Sequence, residues 1–107
     1  MLGPNGGLLA IDRDVGVVDR LTGNLPANCL VRHSSYDEIP ETLSEIGWDT
    51  VDGILLDLGL SSDQLADRER GFSFTADGPL DMRFDMSQGE PAWEWLSRVD
   101  ERTLADT

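Results

Sequence analysis

Short apolar runs with no polar alternation constrain this chain most. Leu8-Leu9-Ala10-Ile11 is entered through Gly6-Gly7 and left through Asp12-Arg13-Asp14, and Val51-Asp52-Gly53-Ile54-Leu55-Leu56-Asp57 runs into an aspartate before Gly59 breaks it. Runs of this kind suit strands buried on both faces, as in a parallel sheet. A further strand is predicted at Cys29–His33. Between the first two, Val15–Leu21 reads as a short helix with Asp14 as N-cap and Gly23 as its stop, although Gly16 and the valines disfavour it. Between the second and third, a helix is predicted over Glu41–Ile46, with Pro40 near its first turn and Gly47 after its end. Strand, helix, strand, helix, strand requires crossover connections, hence an α/β fold with a parallel sheet.

A chain of 107 residues has room for a single domain, and 39% hydrophobic residues allow a modest core. The charge is lopsided: 21 acidic residues face 8 arginines, with no lysine, for a net charge of -13. Such a chain repels polyanions and by itself is a poor nucleic-acid binder, because that affinity comes from Lys and Arg neutralising phosphates. Cys29 has no second cysteine to pair with, and its apolar neighbours suggest a buried thiol on a strand. No leader pattern follows Met1, and no apolar run approaches the roughly 18 residues of a membrane span. The cytoplasm is the expected compartment.

From Leu58 to Gly89 the chain is rich in Gly, Ser, Asp and Arg, with a helical suggestion only at Asp63–Glu69. Two closing helices are predicted, Pro91–Arg98 with Trp93 and Trp95, and Glu101–Asp106 capped by Asp100. Tryptophans two positions apart cannot share a helix face, so one of them should be exposed.

Ligands of open parallel sheets bind beyond the carboxyl ends of the strands, where Asp12, Tyr36 and Asp57 fall. An acidic residue closing a strand of a nucleotide-binding sheet can accept hydrogen bonds from both ribose hydroxyls; the alternative is that Asp12 and Asp14 cap the next helix. Tyr36 can lie against an adenine ring or simply pack. Asp57 ends an apolar strand, where an unpartnered carboxylate is costly to bury, which favours a function. His33 reads as a structural hydrogen-bonder, and no metal site is expected. Arg68, Arg70 and Arg83 are expected to pair with Asp67, Glu69, Asp81 and Asp85.

Three segments together resemble the MraW/RsmH family of 16S ribosomal RNA cytosine-N4 methyltransferases: Leu8-Leu9-Ala10-Ile11-Asp12-Arg13-Asp14, Asp52 through Leu65 with its Asp57-Leu58-Gly59-Leu60-Ser61-Ser62, and Arg68-Glu69-Arg70-Gly71-Phe72-Ser73-Phe74. The likeness continues through Asp77-Gly78-Pro79-Leu80-Asp81-Met82-Arg83-Phe84-Asp85 and Ala92-Trp93-Glu94-Trp95-Leu96. The resemblance implies a partial class I, Rossmann-like methyltransferase sheet over residues 1–60 and, over 61–107, a loop-rich segment that begins a helical substrate-recognition region. It implies S-adenosyl-L-methionine as cofactor, with Asp12 on its ribose, Tyr36 beside its adenine, and Asp57 and Gln64 completing the contacts. It implies methyl transfer to the exocyclic amine of a cytosine in 16S rRNA, with the small ribosomal subunit as partner. Asp63 stands where the family often has proline, and the segment from Val15 to Pro26 is shorter than family members usually show.

The resemblance covers an internal part of the family's length. The family's glycine-rich loop and first strand, the neighbour of both Leu8–Ile11 and Val51–Asp57 in the implied sheet, should precede Leu2. A truncated chain of this kind is expected to fold weakly, to transfer no methyl group alone, and to self-associate through exposed strand edges. Two other readings are a non-catalytic protein-interaction remnant of the fold and a dinucleotide-dependent oxidoreductase using Asp12 on a ribose; the second leaves the long match after Asp57 without a role.

Overall fold

The computed structural model describes residues 2–107. Its sheet has two parallel strands, β1 (Leu8–Asp12) and β2 (Cys29–His33), in register from Leu8 opposite Cys29 to Asp12 opposite His33. The crossover between them is helix α1 (Val15–Leu21). Its cap overrides the poor propensity of its valines: the Asp14 carboxylate accepts the Gly16 N–H at 2.9 Å, and the Asp14 carbonyl accepts from Val17 and Val18. Val18 is buried, as is Val31 on β2. At the far end Gly23 takes a left-handed conformation with φ 84°, and the chain turns back toward β2.

After β2 a 3-10 turn over Tyr36–Glu38 leads into helix α2 (Ile39–Glu45), with Pro40 in its first turn. Helix α2 starts and ends slightly earlier than its apolar pattern suggests, because the Ser35/Glu38 capping box starts the turn upstream of Pro40. Trp48 closes back on the start of β1: a Cβ on Gly7 would lie 2.6 Å from its ring. Only glycine at position 7 leaves space for the indole.

The predicted third strand does not form. Residues 51–57 pair with no other segment among the described residues, and Leu55 is 91% exposed. A strand exists only where a neighbouring edge takes up its backbone N–H and C=O groups, and here β1 is hydrogen-bonded to β2 alone. Little apolar surface is covered: among the described residues Val18 and Val31 are buried and, in a separate unit of the chain, Phe72, while Ile54, Leu55, Leu56 and Leu58 are exposed. Cys29 is on a strand as predicted but is half-buried rather than buried, since β2 has one sheet neighbour only.

The chain divides into two compact units, the first ending at Leu55 and the second running Leu56–Thr107. The second contains helices α3 (Ser62–Ala66), α4 (Ala92–Leu96) and α5 (Glu101–Ala105), the last capped by Asp100 as predicted. The helix predicted over Asp63–Glu69 is split: α3 stops at Asp67, whose carboxylate accepts the Glu69 N–H and starts a separate 3-10 turn over Arg68–Arg70. The long loop that follows is folded back on itself. Met82 donates its N–H to the Arg70 carbonyl at 2.8 Å, Ala92 to Asp81 at 2.8 Å and Trp93 to Leu80 at 2.9 Å. Within it the Phe72 and Phe84 rings lie 5.3 Å apart. Of the two tryptophans, Trp93 is 53% exposed and Trp95 is half-buried.

Candidate cofactor-binding site

Asp12 is the last residue of β1, at the carboxyl end of the sheet. Its backbone carbonyl accepts the Ser34 N–H at 3.1 Å, tying the exits of both strands together. Its side-chain Oδ1 accepts the Asp14 N–H at 2.8 Å, while Oδ2 takes no hydrogen bond among the described residues. The two sequence readings of this acidic pair therefore divide between them. Asp14, buried, caps α1. Asp12, half-buried at the strand end, steadies the turn with one oxygen and has no hydrogen bond to the other among the described residues.

Tyr36 opens the 3-10 turn two residues beyond Ser34 and is 59% exposed, so it is not a packing aromatic. Its backbone is nevertheless held on both sides. The Glu38 carboxylate accepts the Ser35 N–H at 2.9 Å and the Ser34 hydroxyl at 3.0 Å, and Thr42 Oγ1 lies 3.1 Å from that hydroxyl while donating to the Glu38 carbonyl. The Ser35 N–H, with the Ser34 hydroxyl next, holds the Glu38 carboxyl below the usual carboxylate range, and the Ser35 side chain does the same for Asp37. Tyr36 thus starts a tethered turn followed by two ionised carboxylates. A polar cavity of about 230 Å³ is lined by Arg32, His33, Ser34, Glu38, Glu41, Thr42 and Glu45; neither Asp12 nor Tyr36 lines it. His33 Nε2 is 3.0 Å from the Arg13 carbonyl, linking the end of β2 to the turn after β1, the structural role its sequence position suggests.

Asp57 and Gln64 belong to the second unit. Asp57 is exposed and outside any strand, so the cost of burying a strand-end carboxylate, which drew attention to it, does not apply. Gln64 is buried, and its Oε1 accepts the Ser61 N–H at 3.0 Å while the Ser61 hydroxyl accepts the Gln64 N–H at 3.1 Å. This capping box fixes the entry to α3 immediately after the Asp57 segment.

The arginines of the long loop pair largely as their sequence neighbours suggest. Arg83 clamps Asp81 with a two-pronged guanidinium contact, Nε to Oδ1 at 2.9 Å and Nη2 to Oδ2 at 2.7 Å. That guanidinium holds the Asp81 carboxyl below its ordinary value, and Asp81 in turn raises Arg83. Arg70 reaches Asp67 at 3.8 Å and donates to the Phe84 carbonyl at 2.9 Å. Buried Asp85 accepts from Ser87 and Gln88.

Two features were missed by sequence reasoning: the Ser34/Glu38/Thr42 brace and the left-handed backbone of Met82, φ 63°. The first has a local signal, the Ser-x-x-Glu spacing of Ser35 and Glu38. Among the described residues no helix is long and apolar enough to cross a membrane.

Two parallel strands joined through a crossover helix, with an acidic side chain presented at the first strand's carboxyl end, are consistent with a partial Rossmann-like methyltransferase fold. The chain belongs to the MraW methylase family, whose model matches residues 2–107. It is 46% identical over 107 residues to the ribosomal RNA small subunit methyltransferase H of Shewanella denitrificans, covering 97% of this chain and 34% of that one. Proteins of the same name from Ralstonia pickettii and Dechloromonas aromatica are 43% and 44% identical, over 97% and 98% of this chain and 33% and 34% of theirs. The chain spans about a third of the length of these curated relatives.

Proposed function

We propose that the protein is an S-adenosylmethionine-dependent methyltransferase that acts on the N4 amine of a cytosine in 16S rRNA of the small ribosomal subunit, and that these residues supply the ribose and adenine side of the cofactor site. The observation that carries the reading is the Asp12 carboxylate, anchored through Oδ1 and open at Oδ2 at the carboxyl end of β1. A ribose diol needs such an acceptor, held still before the ligand arrives. Tyr36 supplies an exposed aromatic face two residues past the Ser34 amide that bonds Asp12. Gln64 and Asp57 are assigned to the remaining cofactor contacts, Gln64 through the loop it braces.

S-adenosylmethionine, when bound, supplies an electrophilic methyl group on its sulfonium. The cytosine amine is a weak nucleophile because its lone pair is delocalised into the ring, so alignment and an acceptor for its proton do most of the work. Asp57 or a carbonyl of its loop is assigned as that acceptor, and its exposure gives a base access to the proton. The net charge of -13 favours a full-length protein whose other segments supply the basic surface for RNA. By themselves the 107 residues are not expected to transfer methyl groups, since the segment from 51 to 57 joins no sheet that would hold Asp57 beside Asp12.

The test is a full-length hybrid in which residues 2–107 replace the matching segment of the Shewanella denitrificans relative. Calorimetric titration with S-adenosylmethionine should show binding that Asp12→Ala abolishes; equal affinity with and without the Asp12 carboxylate contradicts the assignment. A second reading, a non-catalytic interaction remnant, draws on the exposed apolar run from Ile54 to Leu58. Size-exclusion chromatography of the 107-residue chain separates the two: a stable, monodisperse species that binds no cofactor favours the remnant.

A further inference from the structure

The turn over Tyr36–Glu38 buries none of its own residues, yet polar groups from the end of β2, from the turn and from α2 converge on it. The Glu38 Oε2 atom accepts two donors at once, the Ser35 N–H at 2.9 Å and the Ser34 hydroxyl at 3.0 Å. Thr42, buried on α2, donates its hydroxyl to the Glu38 carbonyl at 2.9 Å.

A capping box accounts for the first of these bonds only, since it needs the carboxylate on the N-cap N–H and nothing more. The bonds from the Ser34 and Thr42 hydroxyls lie outside the box. Their effect is to join the turn to Ser34, whose N–H is committed to the Asp12 carbonyl at 3.1 Å. Two bonds through one serine therefore connect the end of β1 to the turn that begins with Tyr36. With Tyr36 59% exposed, this fastening covers no apolar surface of the turn. What it fixes is where the Tyr36 backbone stands relative to Asp12. A ligand that touches both residues binds more tightly when that spacing is set beforehand, because no loop has to be ordered on binding.

Resting on the methyltransferase reading above, we propose that Glu38 is a positioning residue for the cofactor: it acts through Tyr36, holding that aromatic in a set place relative to the Asp12 carboxylate. The test is a double-mutant cycle in the full-length hybrid, read by calorimetric titration with S-adenosylmethionine and by Tm. Glu38→Ala should weaken affinity by about five- to tenfold, while Glu38→Gln, whose amide oxygen can take the same two donors, stays within about twofold of the parent. In a Tyr36→Ala background, the same Glu38→Ala change should cost less than about twofold, because the residue it acts through is gone. A residue that only stabilised the fold would lower Tm and show no such coupling. If Glu38→Ala does not fold, Ser34→Ala decides: it removes one donor, leaves the backbone bond to Asp12 in place, and should cost about threefold in affinity, again only when Tyr36 is present. Parent-like affinity in these variants overturns the proposal. So does an equal loss with and without Tyr36, or a Tyr36→Ala variant that binds as tightly as the parent. An unsubstituted hybrid that binds no cofactor is a distinct result: it removes the methyltransferase reading, and the role of Glu38 with it.

Discussion

The Asp12 carboxylate accepts the Asp14 backbone N–H at 2.8 Å, so the residue that ends β1 also steadies the residue that caps α1. Two acidic side chains with separate tasks are thereby coupled across one short turn. Substitutions can pull the tasks apart. Asp14→Ala should destabilise the folded hybrid by about 1 kcal/mol, within the range of lost helix caps, with a smaller effect on cofactor affinity. Asp12→Asn keeps an oxygen for the Asp14 N–H and should leave stability within about 0.5 kcal/mol, yet weaken cofactor binding by about tenfold or more. Urea denaturation and calorimetric titration read the two effects; equal losses of stability would mean that both residues are only caps.

Tyr36 makes the opposite prediction from a buried aromatic. Its ring is exposed while the turn around it is fixed by Ser34, Glu38 and Thr42. Tyr36→Ala should therefore change stability by less than about 0.5 kcal/mol while reducing cofactor affinity, and Tyr36→Phe should retain it. A drop in Tm for Tyr36→Ala without a change in affinity would return the residue to a packing role.

The Asp81–Arg83 pair makes acid stability a local property. The Arg83 guanidinium lowers the Asp81 carboxyl below its ordinary 3.8, so the folded state holds this proton less tightly than the unfolded chain. Its contribution is complete above that ordinary value and is lost as the pH falls through the lowered one. Asp81→Asn should be less stable than the parent at neutral pH, and the difference should shrink in melts taken progressively below about pH 4. A difference that stays constant down to strongly acid pH would show that the pair's charge contributes nothing.

What was legible in the sequence is what local chemistry decides. The Asp14 cap, the stops at Gly23 and Gly47, the Asp100 cap and the strand at Cys29–His33 all depend on neighbours within a few positions, and the structure has each of them. The segment from 51 to 57 has the composition of a strand, but pairing is a relation to a second edge and cannot be read from one run of residues. The interest in Asp57 as a buried strand-end charge fell with it. Composition likewise states how much apolar surface a chain carries and not how much is covered, which is why 39% hydrophobic residues coexist, among the described residues, with buried Val18 and Val31 in one unit and Phe72 in the other. Met82 gave no sign of its left-handed turn because methionine has no preference for one. The family resemblance was read through the long segment from Asp52 to Asp85, and the family match over residues 2–107 agrees with it.

Nucleoside mass spectrometry of 16S rRNA reads the proposed methyl transfer directly. Small-subunit particles from cells lacking their own cytosine-N4 methyltransferase would be incubated with S-adenosylmethionine and the full-length hybrid carrying residues 2–107. N4-methylcytidine is expected at a single site, lost when Asp12 is replaced by alanine. A folded hybrid that leaves the RNA unmodified, or one that methylates equally well without Asp12, would contradict it.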